Sequence, residues 1–251
     1  MRTLLVIGIG TGNPEHMTIQ GIKALNSADF VLIPRKGESK ADLAELRREI
    51  CRRYLANEKT RTVEFDLPRR DGAEADYATS VRDWHQAVAG TYRWLIDQYA
   101  GASARVALLV WGDPSLYDGT LAILELLRGP TEAEFSVEVV PGISSAQALA
   151  ASHRIGLATT GNAVHITTGR RLREGFPAGA SSALVMLDGT CAFNALAGER
   201  LDIYWGAYLG TADEMIIAGP LEDVAQRIAD ARESARRERG WIMDTYLLRR
   251  R

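Results

Sequence analysis

Two hydrophobic periods alternate along the first 140 residues. Short apolar runs at Thr3–Ile9, Phe30–Ile33 and Arg105–Val110 have almost no polar interruption, as expected of strands buried on both faces. Between them, apolar positions recur every three or four residues. Thr18 is placed to cap the helix TIQGIKALNSA. Leu43, Leu46, Ile50 and Tyr54 form one helical face behind a Ser39-to-Asp42 spacing that resembles a capping box. A short strand near Thr62–Phe65 leads into a polar loop with Arg69, Arg70 and Asp71. Tyr77, Val81, Trp84, Val88, Tyr92, Leu95 and Tyr99 then mark a long amphipathic helix over Asp76–Ala100. His85 sits beside that stripe and reads as structural. A helix over Leu116–Arg128 and a strand over Ser136–Val140 complete an alternation that predicts a parallel sheet.

The pattern then changes. Val164–Thr167, Ala183–Leu187, Ile203–Leu209 and Met215–Ala218 are four candidate strands with little helix between them. Helix Leu221–Arg239 follows, with Val224, Ile228 and Ala231 on its inner face, and Trp241–Leu248 reads as a last strand. The fold class is therefore α/β with two domains. A parallel-sheet domain spans 1–117 and a mixed-sheet domain spans 118–251, joined near Asp118–Gly119.

Composition narrows the class of function. At 251 residues, 46% hydrophobic and 25% charged, the chain reads as a globular protein. No apolar run approaches the roughly 20 residues that span a bilayer, so no membrane partner is expected and a cytoplasmic location is. A net charge of −2 argues against nucleic-acid partners. The two cysteines, Cys51 and Cys191, show neither disulfide nor zinc spacing, and no metal site is expected. Basic residues are bunched nevertheless. Arg47-Arg48 and Arg52-Arg53 read as solvated helix faces, whereas Arg35-Lys36 and Arg170-Arg171 each follow a strand, where guanidinium forks suit the carboxylates of a polyanionic ligand.

Three loops carry the candidate chemistry. Gly8, Gly10 and Gly12 follow the first strand with GxGxG spacing, but Pro34, Arg35 and Lys36 stand where a dinucleotide fold wants an acid for the ribose. That counts against NAD; Arg35 would still suit NADP. In WGDPSLY, Gly112 lets backbone approach a ligand and Pro114 fixes the turn, leaving Asp113 at the carboxyl end of a strand, either facing a ligand or capping the next helix. In PGISSAQ, Ser144 and Ser145 open a helix with hydroxyls and free N–H groups.

With GIGTGNPEHMT, WGDPSLY, PGISSAQ, VMLDG and IAGPL in this order, the chain resembles the tetrapyrrole (corrin/porphyrin) methyltransferases. Longer strings, RKGESKADLAELRREIC, HITTGRR, VMLDGTCAF, IYWGAYLGTADE and GWIMDTYLLR among them, extend the resemblance over almost the whole chain. It implies S-adenosylmethionine as methyl donor, held in the cleft between two α/β domains, with S-adenosylhomocysteine as product. By position Gly112, Asp113 and Leu116 would meet its methionine and ribose part, Ser144 and Ser145 would lie beside it, and the segments of Leu187-Asp188, Tyr208-Leu209 and Gly219-Pro220 would form the adenine pocket. Thr11 and Asp188 depart from the residues that relatives often carry.

The resemblance also implies aerobic cobalamin biosynthesis: methylation of precorrin-5 at C-1 with loss of the acetyl group as acetate, by a homodimer. Hydrating the acetyl carbonyl needs a base or a polarising donor. Asp118, His165 and Glu214 are candidates by residue type, with His153 and Asp188 behind them. Methylation of another precorrin carbon, an NADP-dependent reductase, and a non-catalytic tetrapyrrole or S-adenosylmethionine sensor remain open.

Overall fold

The computed structural model describes residues 1–35, 41–69, 77–127 and 135–251. The chain forms two compact units: 1–10 with 14–143, and 11–13 with 144–251.

In the first unit β1 (Arg2–Gly8), α1 (Ile19–Asn26), β2 (Phe30–Arg35), α2 (Ala41–Tyr54), β3 (Arg61–Asp66), α3 (Tyr77–Tyr99), β4 (Arg105–Val110), α4 (Thr120–Leu127) and β5 (Phe135–Val140) follow one another. The five strands make an all-parallel sheet in the order β3-β2-β4-β1-β5. Its central strands are apolar throughout because both faces are covered. Leu4, Val6, Val106, Leu108 and Val110 pack with α3 and α4, while Leu5, Ile7, Ala107 and Leu109 pack with the buried residues of α1 and α2. Thr18 caps α1 as expected, accepting from the Gly21 N–H at 2.9 Å.

Two expectations change here. The turn after Gly112 does not enter a helix at Leu116; α4 begins at Thr120. The expected domain boundary after Tyr117 falls within the first unit, because β5 pairs with β1 and so extends the first sheet. The Ser39–Asp42 spacing and Arg70-Asp71 lie outside the described residues or side chains.

The second unit contains α5 (Ser145–His153), β6 (Val164–Thr168), α6 (Gly169–Leu172), β7 (Ser182–Met186), β8 (Leu201–Ala207), β9 (Met215–Pro220), α7 (Leu221–Arg239) and β10 (Asp244–Arg250). Its mixed sheet runs β6-β7-β10-β8-β9, with β6 and β7 parallel and the other pairs antiparallel. Leu221, Val224 and Ile228 of α7 pack on one face with Ile203, Trp205 and Tyr246. Ala146 and Leu149 of α5 cover the other with Leu184 and Leu247. Arg232 is buried one position beyond the expected inner-face Ala231, and its Nε lies 2.7 Å from Asp244 Oδ2. A buried charge is tolerated only when so paired. Among the described residues no helix is long and apolar enough to cross a membrane.

Candidate active site

Strand order locates the first half of the site. β1 and β4 are neighbours, yet the chain leaves β1 to return at β2, beyond β4, and leaves β4 to return at β5, beyond β1. The carboxyl ends of β1 and β4 thus flank the point where the winding of the sheet reverses, which is where open α/β sheets receive ligands. Backbone approaches backbone closely at that edge. Gly10 and Gly112 exchange N–H···O bonds of 3.3 and 2.8 Å. A Cβ on Gly142 would fall 2.7–2.8 Å from the Gly8 backbone, so the carboxyl ends of three strands meet without side chains.

Asp113 locks this edge. Its Oδ1 accepts from the Ser115 N–H at 2.8 Å and from the Ser115 hydroxyl, and its Oδ2 accepts from the Gly142 N–H at 2.8 Å. Partial burial pushes the carboxyl pKa up, but these bonds to the anion outweigh it and leave the group below the usual aspartate value. Asp113 therefore caps a turn and staples two loops, and it does not cap α4. That task falls to Asp118, whose Oδ1 accepts from the Thr120 N–H at 2.7 Å. Between them Leu116 is half-buried, and Tyr117 is exposed with φ 52°.

The second unit gathers two more such turns. β7 and β8 both run antiparallel to β10, so their carboxyl ends share one edge of the sheet. Leu187 after β7 and Tyr208 after β8 have φ of 53° and 51°. Each non-glycine residue so held costs about 1–2 kcal/mol, strain of a kind that concentrates at functional sites. Leu187 is 65% exposed; Asp188 is turned inward, accepting from the Thr190 and Ala192 N–H groups at 2.9 and 2.6 Å and from the Tyr246 hydroxyl at 2.7 Å. Tyr208 donates its hydroxyl to Trp241 O at 2.6 Å, and Leu209 is buried. Gly12 of the first glycine loop reaches this edge: a Cβ there would overlap the Thr211 methyl. Gly219 and Pro220 do not. They lie beside Ile203 and Asp202, at the opposite end of the sheet, because β9 runs antiparallel to β8. Gly219 and Pro220 therefore stand apart along the sheet from the turns of Leu187 and Tyr208. Ser144 is buried in a capping box with Gln147, and Ser145, half-buried, begins α5.

The catalytic candidates are divided between the two units. Asp118 belongs to the first unit, His165 and Glu214 to the second. His165 is exposed on the edge strand β6, whereas Glu214 precedes the opposite edge strand and accepts from the Gly210 N–H at 2.7 Å. Four strand spacings of about 4.8 Å separate those edges. His153 is taken up structurally, 2.9 Å from Trp205 O.

Among the basic residues, Arg35 ends β2 and pairs with Asp66 at 3.0 Å, both exposed. Arg170 and Arg171 lie on the short helix α6, where Arg171 pairs with Glu174 at 3.0 Å. Lys36 is outside the described residues. Arg48 and Arg52 form exposed ion pairs with Glu64, Glu45 and Glu49. Arg47 overturns the expectation for its pair: it is buried, and its Nε and Nη1 donate to Leu109 O at 2.9 Å and Leu43 O at 2.7 Å. The pairing of β2 with β4 stops at Leu32↔Leu108, so the guanidinium occupies the gap where the strands part. The signal available in the sequence was the position of Arg47 itself, four residues from Leu43 and three from Ile50, on the apolar face of α2.

The family model of the Tetrapyrrole (Corrin/Porphyrin) Methylases matches residues 3–225. Over 250 residues the chain is 52% identical to a precorrin-6A synthase (deacetylating) of Sinorhizobium sp, covering 100% of this chain and 96% of that protein. The crystal structure of a cobalamin-synthesis-related protein (CobF) from Corynebacterium diphtheriae superposes with a TM-score of 0.84 at 38% identity, covering 99% of this chain and 98% of that one. The fold is also that of a uroporphyrin-III C-methyltransferase of Thermus thermophilus solved with S-adenosyl homocysteine, at 17% identity and a TM-score of 0.59, covering 98% and 91%.

Proposed function

The chain belongs to the tetrapyrrole (corrin/porphyrin) methylases and is a methyltransferase, and from that premise we propose that it acts as a deacetylating precorrin-6A synthase. Its substrate is then precorrin-5, which is methylated at C-1 while the acetyl group leaves as acetate. The observation that carries this reading is the 52% identity that runs over the whole chain, where identity confined to the glycine loops would support only a shared cofactor.

S-adenosylmethionine supplies an electrophilic methyl on sulfonium sulfur. Two observations are in keeping with such a ligand: the loops of Gly8, Gly112 and Gly142 approach so closely that a Cβ on Gly8 or Gly142 would strike backbone, which fixes the loop shape at the sheet end, and no acid stands at the end of β2 for a dinucleotide ribose. In the first unit the proposed contacts are Gly112, Asp113 and Leu116. Asp113 acts by holding the loop in shape as much as by touching the ligand. In the second unit they are Ser144, Ser145, Leu187, Tyr208 and Leu209, with Asp188 setting the turn that presents Leu187. Arg35, Arg170 and Arg171 are the proposed partners of the substrate carboxylates, since guanidinium forks bind carboxylates bidentately. The same reading carries a cytoplasmic homodimer, which light scattering checks as far as assembly is concerned.

Incubation with precorrin-5 and methyl-labelled S-adenosylmethionine tests the proposal. Equimolar acetate and labelled macrocycle are expected; a labelled macrocycle without acetate would make the protein a methyltransferase of another carbon. Calorimetry should show binding of S-adenosylhomocysteine and no comparable binding of NADPH.

A further inference from the structure

The gap that Arg47 fills opens into a cavity of about 70 Å³ inside the first unit. Its apolar walls include Leu32, Pro34, Val88 and Ile123, and its polar ones Arg47, Tyr92 and Asp118. A water molecule takes up roughly 30 Å³ of liquid, so the space suits a group of a few heavy atoms. Arg47 is only 7% exposed, and the two hydrogen-bond partners described for its guanidinium are backbone carbonyls. Carbonyl dipoles solvate a cation without neutralising it, and a buried charge so placed favours an anion beside it. Burial draws the Arg47 pKa down, against which the nearby Tyr92 and Asp118 act. Burial, with Asp118 adding to it, likewise pushes the Tyr92 hydroxyl up to about 12, so it stays protonated and able to donate. The cavity thus joins a fixed cation, a neutral donor and a carboxylate around a small space at the carboxyl end of a parallel sheet.

We propose that this cavity receives the acetyl group of the substrate and holds the acetate formed from it, with Arg47 binding the carbonyl oxygen and Asp118 accepting a proton from the attacking water. The proposal rests on the deacetylating reading above and adds the place and the residues. Water adds to the acetyl carbonyl carbon, one of its protons passing to the Asp118 carboxylate, while the oxygen that becomes negative lies against the Arg47 guanidinium. The bond from that carbon to C-1 then breaks, its electron pair moving into the conjugated macrocycle. The two-carbon unit leaves as acetate, and the second water proton goes to solvent. C-1 is left electron-rich, ready to be methylated. Arg47 is 7% exposed, an oxyanion donor largely withdrawn from bulk solvent, where such donors have their largest effect.

The test has two readouts. Acetate binding to the wild-type protein is measured by saturation-transfer NMR against equal ionic strength of chloride, with no tetrapyrrole present. Acetate release is measured in a single turnover with precorrin-5. For Arg47→Gln we expect acetate binding to weaken by at least tenfold and acetate release to slow by roughly 10²–10³, the usual cost of losing an oxyanion donor, with affinity for S-adenosylhomocysteine unchanged. Val88→Phe, which fills the cavity and leaves the guanidinium in place, should lose acetate binding in the same way and decides the matter if Arg47→Gln fails to fold. No acetate binding by the wild-type protein, or a folded Arg47→Gln that releases acetate at the wild-type rate, overturns the proposal. A wild-type protein that binds acetate in an Arg47-dependent way but releases none from precorrin-5 keeps the anion pocket and overturns the deacetylating reading.

Discussion

The Oδ2 of Asp113 accepts a hydrogen bond from the Gly142 N–H at 2.8 Å, so the loop after β4 is stapled to the loop after β5 across the end of β1. Asp113→Ala should therefore act on both stability and cofactor affinity. Loss of bonds to a charged acceptor costs roughly 1.5–3 kcal/mol, measured by urea unfolding, and affinity for S-adenosylhomocysteine should fall with the loop geometry. The folded-state pKa lies below the ordinary aspartate value. The contribution is thus present above about pH 4 and is lost as pH falls through the folded pKa. The gap between wild type and variant should close on acidification; a gap that widens would rule out the staple.

Gly142→Ala and Gly90→Ala make a matched pair. A Cβ at Gly142 would meet the backbone of Gly8, which cannot yield as a flexible side chain can, whereas a Cβ at Gly90 on α3 meets nothing within 4 Å. We expect Gly142→Ala to lower stability by about 1–3 kcal/mol or more and to abolish cofactor binding. Gly90→Ala should raise stability by up to about 1 kcal/mol through helix propensity alone. Thermal melts of both variants, read beside wild type, check the contrast.

Leu187 separates strain from function. Leu187→Gly removes the cost of a left-handed leucine, about 1–2 kcal/mol, and loses little packing because the side chain is 65% exposed. Stability should rise or hold while affinity for S-adenosylhomocysteine falls. A variant that gains stability and keeps full affinity would show that the side chain does not touch the cofactor. Its neighbour behaves oppositely: Asp188→Ala leaves the donors of Thr190, Ala192 and Tyr246 unmet in the interior and should unfold the second unit at much lower denaturant.

Neutralising Arg35 or Arg170 should raise KM for the tetrapyrrole and leave S-adenosylhomocysteine affinity nearly unchanged. Arg48→Gln and Arg52→Gln should change neither, because these residues lie along helix α2 and not at a strand end or just beyond one. Steady-state kinetics on the four variants tests the assignment; helix variants that lose substrate affinity while the strand-end variants keep it would reverse it.

Local pattern alone determined much of this protein. Unbroken apolar runs announced the doubly covered strands β1 and β4, because a strand buried on both faces has no polar side to show. Thr18 announced a helix start, and the ordered loops at Gly8–Gly12, Gly112-Asp113 and Ser144-Ser145 announced a ligand-binding α/β fold. These are short-range facts, written within a few residues of where they act.

The tertiary structure decided what depends on partners far away in sequence. Whether Asp113 caps a helix or staples loops was settled by Gly142, 29 residues on. That Gly219 and Pro220 sit far along the sheet from Tyr208 follows from the antiparallel pairing of β8 with β9, which no local spacing records. Arg47 shows the limit most clearly. Beside Arg48 it reads as one more exposed charge, and only the parting of β2 from β4 after Leu108, 61 residues away, creates the carbonyl that draws it inward. A charged side chain is buried only where a distant backbone offers it hydrogen bonds, and the chain must fold before that offer exists.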